Sequence, residues 1–351
     1  MSGAQGAGRG ERGGAVGGGL GRLAAGVYRR EIGRRNRRYD AGAGVTKLNV
    51  PVISVGNLSV GGTGKTPMVA WIVRTLLEAG RSPCIAMRGY KKGKGQSDEE
   101  LLYRRTLEGV PVVAQPDRLT GLRELFQTEA GRRVNVLVLD DGFQHRKIAR
   151  DLDLVLIDST NSPFEDALLP SGWLREPVES LQRAHGVVLT HAESVSPIRL
   201  EELELQVEAA HGRSPAARAA HAWGGLDVRI DGREVARPVG WLKGKRAMVV
   251  CAIGRPEPFV RQVERAIGGP AAGKLVLRDH DPYKPVTREA IAKEAAAAGA
   301  EVIVTTEKDW SKLESAEWAL PVARPRLVMK IEQGERELRD MVGDVGRHGG
   351  S

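Results

Sequence analysis

The chain has 351 residues, of which 41% are hydrophobic, and a formal net charge of +9. This length fits one large or two ordinary domains, and the hydrophobic content excludes global disorder. Most of the charge lies in residues 1–50, which carry ten Lys and Arg residues but three Asp and Glu residues. Because the rest of the chain is nearly neutral, a wholly basic nucleic-acid-binding body is disfavoured, whereas a basic arm for a polyanionic surface stays possible.

The cysteine content and the hydropathy pattern indicate which cellular compartments the sequence fits. Cys84 and Cys251 lie far apart in apolar runs, without a CxxC or Cys/His cluster. This pattern disfavours a disulfide framework and a cysteine zinc site, and it fits a reducing compartment. No apolar stretch reaches the roughly 18 residues of a membrane-spanning helix, and the N-terminus lacks the apolar core of a secretory signal.

The N-terminal arm has two parts. Residues 1–19 are rich in Gly with scattered Arg, which predicts a flexible tail. Residues 20–48 form a basic segment whose first part, 20–39, has apolar residues at i, i+3, i+4 spacing and most Arg residues elsewhere, which predicts an amphipathic helix. Such a helix either lies on a membrane surface or packs on its own domain, and the sequence leaves both open.

From residue 50 onward, buried apolar strands alternate with helices. Strands are predicted at Val50–Val55, Cys84–Met87, Val134–Leu139, Leu154–Ile157, Val187–Thr190, Ala247–Ile253, Leu275–Leu277, Val302–Thr305 and Leu327–Ile331. Helices are predicted at Pro67–Ala79, Arg118–Ala130, Pro197–His211, Glu257–Ile267 and Thr287–Ala298. This βαβ rhythm predicts an α/β fold with a doubly wound, mostly parallel sheet.

Residues 219–239 break this rhythm with short alternating segments. Asp231–Gly232 is a typical hairpin turn, so a β-hairpin linker is predicted here. The linker divides the rest of the chain into a P-loop domain over residues 49–218 and a second, smaller α/β domain over residues 240–345.

A glycine-rich turn follows the first strand and ends in Gly64–Lys65–Thr66. Glycines let backbone N–H groups converge on a phosphate, and the N-terminus of the following helix favours negative charge. Lys65 is predicted to reach the β- and γ-phosphates and the Thr66 hydroxyl to bind Mg²⁺. The strict P-loop pattern has Gly where Ser59 stands, but the flanking strand and helix favour a nucleotide-binding loop over a plain glycine-rich turn. The residues predicted to bind ATP are Ser59, Val60, Gly61, Gly62, Thr63, Gly64, Lys65 and Thr66.

An acidic pair closes another apolar strand. Asp140 and Asp141 follow Val136–Leu139, as in a Walker B strand, whose carboxylate holds Mg²⁺ or its water. Asp140 is therefore the predicted metal ligand. Arg88 follows a neighbouring strand, which suits either a phosphate-facing position or a strand-end ion pair.

The guanine-specifying NKxD pattern does not occur at its two candidate positions. Thr190–Glu193 and Thr306–Asp309 both lack the Asn-Lys pair, so ATP is preferred over GTP.

Six motifs together resemble a known family. They are VGNLSVGGTGKTP (55–67), RGY (88–90), LDDGFQH (139–145), LLPSGWLREP (168–177), DHDPY (279–283) and TTEKD (305–309). In this order they resemble the tetraacyldisaccharide 4′-kinase (lipid A 4′-kinase) family from about residue 20 to residue 331. The resemblance implies transfer of the ATP γ-phosphate, with Mg²⁺, to the 4′-hydroxyl of an acylated glucosamine disaccharide 1-phosphate. It also implies a two-domain P-loop fold with a β-strand linker, and an N-terminal helix that docks peripherally on the cytoplasmic face of the inner membrane.

The resemblance also implies site residues. Asp140 and Asp141, with Gln144 and His145, match the family's DDGxQH active-site run. Arg175 and Glu176 match the pair placed near the substrate and the transferring phosphate.

Two further positions match the family's base. Asp98 and His280 correspond to an Asp and a His that act together to activate the sugar hydroxyl. Where the family has GDEP the chain reads Ser97–Asp98–Glu99–Glu100, so Glu99 or Glu100 stays an alternative to Asp98. Asp281 stands where the family has a second His.

Two other classes of function are weighed against the kinase. A membrane-associated P-loop partition or positioning ATPase would supply an extra Lys near the start of its P-loop, and residues 59–63 contain none. A nucleic-acid-binding module is disfavoured by the nearly neutral body and an aromatic content of 4%.

Overall fold

The computed structural model describes residues 19–89, 97–254, 256–279 and 281–346. Residues 1–18 of the predicted tail, which covers residues 1–19, lie outside the described residues, and so does His280. The described residues form two compact units that interleave along the chain. The first takes in residues 19–89, 103–220 and 329–346, and the second takes in residues 97–102 and the described part of 221–328. The contiguous domain ranges expected from the sequence stay a proposal.

Helices and strands alternate along most of the chain. The helices are α1 Gly19–Asp40, α2 Lys65–Glu78, α3 Asp98–Thr106, α4 Arg118–Phe126, α5 Glu129–Arg132, α6 Pro197–His211, α7 Pro256–Ile267, α8 Pro285–Ala297, α9 Glu307–Leu313 and α10 Glu335–Gly343. The strands are β1 Val52–Asn57, β2 Pro83–Met87, β3 Val112–Ala114, β4 Val136–Asp140, β5 Leu152–Asp158, β6 Gly186–Thr190, β7 Ala217–Ile230, β8 Arg233–Arg237, β9 Ala247–Cys251, β10 Gly273–Val276, β11 Val302–Thr305 and β12 Val322–Gln333.

The first unit is built on a parallel sheet in the order β6-β5-β1-β4-β2-β3. β1 lies at its centre between β5 and β4, and Val55 is in register with Asp140. The carboxyl ends of β1 and β4 are therefore adjacent, which is the edge where ligands bind in doubly wound folds. The doubly wound α/β fold predicted from the sequence is confirmed.

Helix α2 packs on this sheet through one apolar face. Met68, Ile72 and Leu76 repeat at i, i+4, i+8 and are fully buried in the same core cluster as Ile53 and Val138. Fully burying each such side chain contributes about 1.5–3 kcal/mol relative to leaving it exposed. This packing fixes the N-terminus of α2, and with it Lys65, at the carboxyl end of β1.

The second unit has its own parallel strands, in the order β10-β9-β11-β12. The predicted hairpin is present, since β7 pairs antiparallel with β8 around Asp231 and Gly232, whose φ values are 47° and 76°.

Within the second unit, Asp309 is fully buried and accepts hydrogen bonds from the Thr306 hydroxyl (2.6 Å) and from Ala252 N (3.1 Å). It thereby fastens the start of α9 to the end of β9.

The helix predicted over Arg118–Ala130 is two helices instead of one. α4 ends at Phe126, and Thr128 adopts an extended conformation whose hydroxyl accepts a hydrogen bond from Gly131 N at 3.0 Å. Thr is a preferred N-cap residue, so a new helix begins there. The sequence patterns also miss four shorter elements, namely β3, α3, α9 and α10.

The N-terminal helix predicted over residues 20–39 is present as α1. Ile32 is buried and Tyr28 contacts the first unit, whereas Leu23 and Val27 are 72% and 68% exposed. The helix therefore packs on its own unit through its second half and presents apolar side chains outward in its first half. No described helix combines the length and apolar character needed to cross a membrane.

Candidate active site

The loop between β1 and α2 is held in a strained turn by glycine and by Asn57. Gly61 and Gly64 have φ values of 132° and 80°, a region that other residues avoid. Asn57 Nδ2 donates to the Ser59 carbonyl at 2.8 Å, and its Oδ1 accepts from Lys65 Nζ at 3.3 Å. Asn57 thus fixes both the start of the loop and the lysine at its end.

The acidic loop after β4 presses closely against β1. Gly142 N donates to the Val55 carbonyl at 3.0 Å. A Cβ atom on Gly142 would lie 2.4 Å from Ser54 Oγ, and one on Gly56 would lie 2.4 Å from Phe143 Cβ. Both positions therefore require glycine, and this close approach sets Asp141 beside the P-loop.

Lys65, Asp141 and Arg175 form one charged cluster. Lys65 Nζ lies 3.6 Å from Asp141 Oδ1, and Arg175 donates to both oxygens of Asp141 at 3.0 and 2.8 Å. Burial raises the pKa of Asp141, but Lys65 and Arg175 outweigh it and hold that pKa below its usual value. Asp141 is therefore ionised at neutral pH, and it orients the two cations that a phosphoryl group would meet.

Asp140 differs sharply from its neighbour. It is 6% exposed, its Oδ2 accepts from the Tyr103 hydroxyl at 3.0 Å, and its Oδ1 is buried without a hydrogen-bond partner among the described residues. Burial raises the pKa of this carboxyl despite the nearby Lys65. A buried carboxylate oxygen without a partner is costly unless a cation or donor meets it.

The segment that carries Arg175 is joined to the P-loop backbone. Val60 N donates to the Trp173 carbonyl at 2.8 Å, and Arg175 N donates to the Leu58 carbonyl at 2.7 Å. These bonds flank an antiparallel bridge between Ser59 and Leu174. The position of Arg175 therefore follows the position of the P-loop.

Glu176 is fully buried and lies next to Arg175 in the chain. Its carboxylate meets Arg183 at 2.8 Å, Arg35 at 3.2 Å and Asn36 at 2.9 Å. All of these partners belong to the first unit. A substrate-binding role for Glu176 stays a prediction, and its observed contacts are with the protein itself.

Gln144 and His145 follow the acidic pair. Gln144 Nε2 donates to the Asn57 carbonyl at 2.9 Å. Burial lowers the pKa of His145 to about 4, with Arg118 and Arg150 contributing in the same direction, and its Nε2 is buried without a hydrogen-bond partner among the described residues. His145 is therefore a neutral imidazole at neutral pH, able to contact a substrate by hydrogen bonding but not by charge.

This imidazole makes folding stability depend on pH. The unfolded His145 takes up a proton below its ordinary pKa of 6.5, whereas the folded one does so only near 4. The unfolded state binds more protons between these values, so stability falls as the pH drops from 7 to 5. Because the ring is partly solvated, we expect His145→Gln to remove about 1 kcal/mol of that decrease, as measured by urea unfolding at both pH values. An equal pH dependence in wild type and variant would contradict this shift.

Arg118 is a residue of this site that the sequence patterns do not single out. It is 3% exposed, its guanidinium donates to the Asp141 carbonyl at 3.4 Å, and burial lowers its pKa while Asp140 and Asp141 oppose that shift. Arg88, by contrast, is exposed at the carboxyl end of β2. The sequence contains one signal that could have identified Arg118. It occupies the first position of α4, where the helix dipole disfavours a cation.

Asp98, the carboxylate of the predicted base, belongs to the second unit. Asp98 is partly exposed in the first turn of α3, where Ser97 Oγ accepts a hydrogen bond from Glu100 N at 3.0 Å. Glu99 is exposed and Glu100 is buried. Asp281, next to His280, accepts a hydrogen bond from Tyr283 N at 2.7 Å.

Comparison with known proteins identifies the family. The sequence profile of the tetraacyldisaccharide-1-P 4′-kinase family (LpxK) matches residues 20–342. Tetraacyldisaccharide 4′-kinases from Anaeromyxobacter dehalogenans and Chlorobaculum tepidum are 36% and 35% identical, covering 87% and 92% of this chain and 84% and 96% of their own. A crystal structure of LpxK from Aquifex aeolicus in complex with ATP is 30% identical with a TM-score of 0.70, covering 92% of this chain and 97% of that one. The resemblance and the kinase function expected from the sequence are confirmed, and the chain belongs to the tetraacyldisaccharide-1-P 4′-kinase family.

Proposed function

We propose that the protein transfers the γ-phosphoryl group of ATP to the 4′-hydroxyl of a tetraacyldisaccharide 1-phosphate in lipid A biosynthesis. The observation that carries this proposal is the charged cluster in which Asp141 orients two cations, Lys65 at the end of the P-loop and Arg175. Residues 49–218 would bind the nucleotide, and residues 240–345, which include His280, would form the smaller domain joined by the 219–239 hairpin.

The reaction breaks the bond between the γ-phosphorus and the bridging oxygen of ATP and forms a bond to the sugar 4′-oxygen. Lys65 holds the β- and γ-phosphate oxygens, and Arg175 offsets the charge that develops on the transferring group. The hydroxyl proton passes to a base, for which Asp98 and His280 are the candidates, and ADP leaves. Gln144, His145, Glu176 and Arg88 are the candidates for positioning the lipid head group.

The residues present fit Mg²⁺. Asp140 Oδ1 is a buried oxygen without a partner among the described residues, and Thr66 stands at the second position of α2. Within the part of the chain that the structure describes, no three His, Cys, Asp or Glu side chains converge, so nucleotide phosphates and water would complete the ligand set, as Mg²⁺ prefers. When bound, Mg²⁺ would neutralise charge on the phosphoryl oxygens.

A lipid-kinase assay tests the proposal directly. Purified full-length protein with Mg-ATP and detergent-solubilised tetraacyldisaccharide 1-phosphate should yield a product heavier by one phosphate by mass spectrometry. The same lipid already phosphorylated at the 4′-position is the matched control and should accept nothing. ATP hydrolysis without a phosphorylated lipid would contradict the proposal.

Three single variants separate the candidates for the base. Asp98→Asn should lower kcat by about 10²–10⁴-fold, because removing a general base costs that much, whereas Glu99→Gln should leave it nearly unchanged. Glu100→Gln is the third variant. Because Glu100 is buried, its melting temperature is measured together with kcat to show that the variant is folded. If Glu99→Gln or Glu100→Gln gives the large loss in a folded protein while Asp98→Asn does not, Asp98 is not the base.

We further propose that α1 attaches the protein peripherally to the cytoplasmic face of the inner membrane. Leu23 and Val27 are exposed, as are Arg30 and Arg37 on the same helix, a combination suited to an anionic leaflet. The double variant Arg30→Ala/Arg37→Ala should co-sediment less with phosphatidylglycerol vesicles, and salt should weaken wild-type binding. Equal binding of wild type to phosphatidylcholine vesicles, or binding insensitive to salt, would argue against an electrostatic attachment.

A further inference from the structure

Helix α1 contacts the segment that carries Arg175 through directional polar bonds. The Tyr28 hydroxyl donates to the Arg175 carbonyl at 3.0 Å. About two helical turns further on, Arg35 and Asn36 meet the buried carboxylate of Glu176 at 3.2 and 2.9 Å. Helix α1 therefore holds both Arg175, a member of the charged cluster, and the next residue, Glu176.

The same helix is also bonded to the chain that continues from the acidic pair. Arg146 donates to the Asn36 carbonyl at 3.2 Å and to Asp40 at 2.6 Å. Arg183, the third partner of Glu176, donates to the Phe143 carbonyl at 3.2 Å, and its guanidinium lies 3.6 Å from the centre of the Phe143 ring. The loop of Asp141 and the segment of Arg175 are therefore both tied to α1, directly or through Glu176.

Apolar burial on α1 is small beside this set of polar bonds. Among the described side chains of α1, Ile32 is the one buried hydrophobic residue, while Leu23 and Val27 are exposed. Glu176 is 0% exposed and its carboxylate has three partners, so losing one of them leaves charge buried with fewer contacts. Directional bonds of this kind fix orientation, which hydrophobic contact alone does not.

We propose that α1 is a brace for the phosphoryl-transfer centre, in which Tyr28 and Asn36 are positioning residues that hold Arg175 against Asp141. The inference rests on the proposed function and deepens it, because the helix that faces the lipid surface also sets the geometry of the arginine at the reacting phosphate. Displacing α1 would move Arg175 away from Asp141.

The kinetic test uses Tyr28→Phe, with Tyr39→Phe as its matched control. Both remove one hydroxyl from α1, but in the described structure the Tyr39 hydroxyl has no hydrogen bond. Tyr28→Phe should lower kcat about five-fold, the value of one lost hydrogen bond, with KM for ATP and sedimentation with phosphatidylglycerol vesicles unchanged. Tyr39→Phe should match wild type. Equal kcat in both variants would overturn the brace.

A double-mutant cycle distinguishes positioning from general weakening. If Tyr28 acts through Arg175, adding Tyr28→Phe to Arg175→Ala should change kcat by less than about two-fold. An undiminished five-fold loss in that background would show that Tyr28 acts elsewhere and would overturn the proposal.

Hydrogen exchange tests the brace independently of lipid phosphorylation. Amides of residues 168–177 should exchange faster in Tyr28→Phe and in Asn36→Ala than in Tyr39→Phe, because their segment loses its tie to α1. Unchanged exchange would overturn the brace. If the two variants exchange faster but the wild-type protein phosphorylates no lipid, the contact is supported and the proposed function is rejected.

Discussion

Replacing Lys65 with alanine is expected to lower kcat by about 10²–10³-fold, the largest single effect in the nucleotide site. Lys65 begins α2 and lies 3.3 Å from Asn57 Oδ1 and 3.6 Å from Asp141, so its ammonium group is fixed before nucleotide arrives. Its loss removes a cation that offsets phosphate charge and leaves Asp141 with one fewer counter-ion. Steady-state turnover in detergent micelles measures the effect.

Lys330→Ala is the matched control for this change. Lys330 is exposed on β12 in the same unit, and its removal lowers the net charge by the same amount. It should leave turnover and melting temperature near wild type. Equal losses from both variants would mean that net charge, and not the position of Lys65, supports turnover.

The second large effect is expected from Asp141→Asn, which keeps the shape of the side chain and removes its charge. Arg175 donates to both oxygens of Asp141, and an amide can accept from it at only one atom. We expect kcat to fall by about 10²-fold because Arg175 and Lys65 lose their orientation. KM for ATP should stay the same or decrease, since one negative charge beside the phosphates is gone.

Asp340→Asn removes an exposed carboxylate on α10 and should change neither constant. A higher KM for ATP with an unchanged kcat in Asp141→Asn would contradict an orienting role for Asp141. That pattern would assign Asp141 to ground-state binding of the nucleotide.

Much of the site can be predicted from the sequence, because several of its residues lie close together in the chain. The strand, the glycine turn and the helix that carry Lys65 and Thr66 follow one another in the chain, so local patterns identify them. The role of Asp140 is equally predictable from the sequence, because an apolar strand that ends in an acid places the acid at the ligand-binding edge of a parallel sheet. The order of β1 and β4 in that sheet then brings the two segments together.

Residues brought in from distant segments escape such patterns. Tyr103 lies 37 positions before Asp140, on a short helix that sequence periodicity misses, yet its hydroxyl donates to that carboxylate. Arg118 sits at the start of an ordinary amphipathic helix, and its burial follows from packing beside the acidic loop. Apart from the position of Arg118 at the start of a helix, neither residue differs locally from many solvent-exposed ones.

The sequence by itself determined the α/β fold, the phosphate-binding loop and the family, because periodicity and short contiguous motifs carry that information. Only the tertiary structure decided that Glu176 is buried among Arg183, Arg35 and Asn36, and that α10 returns to the first unit. The physical reason is that burial and ion pairing over about 140 residues depend on how distant surfaces pack, which no local spacing records.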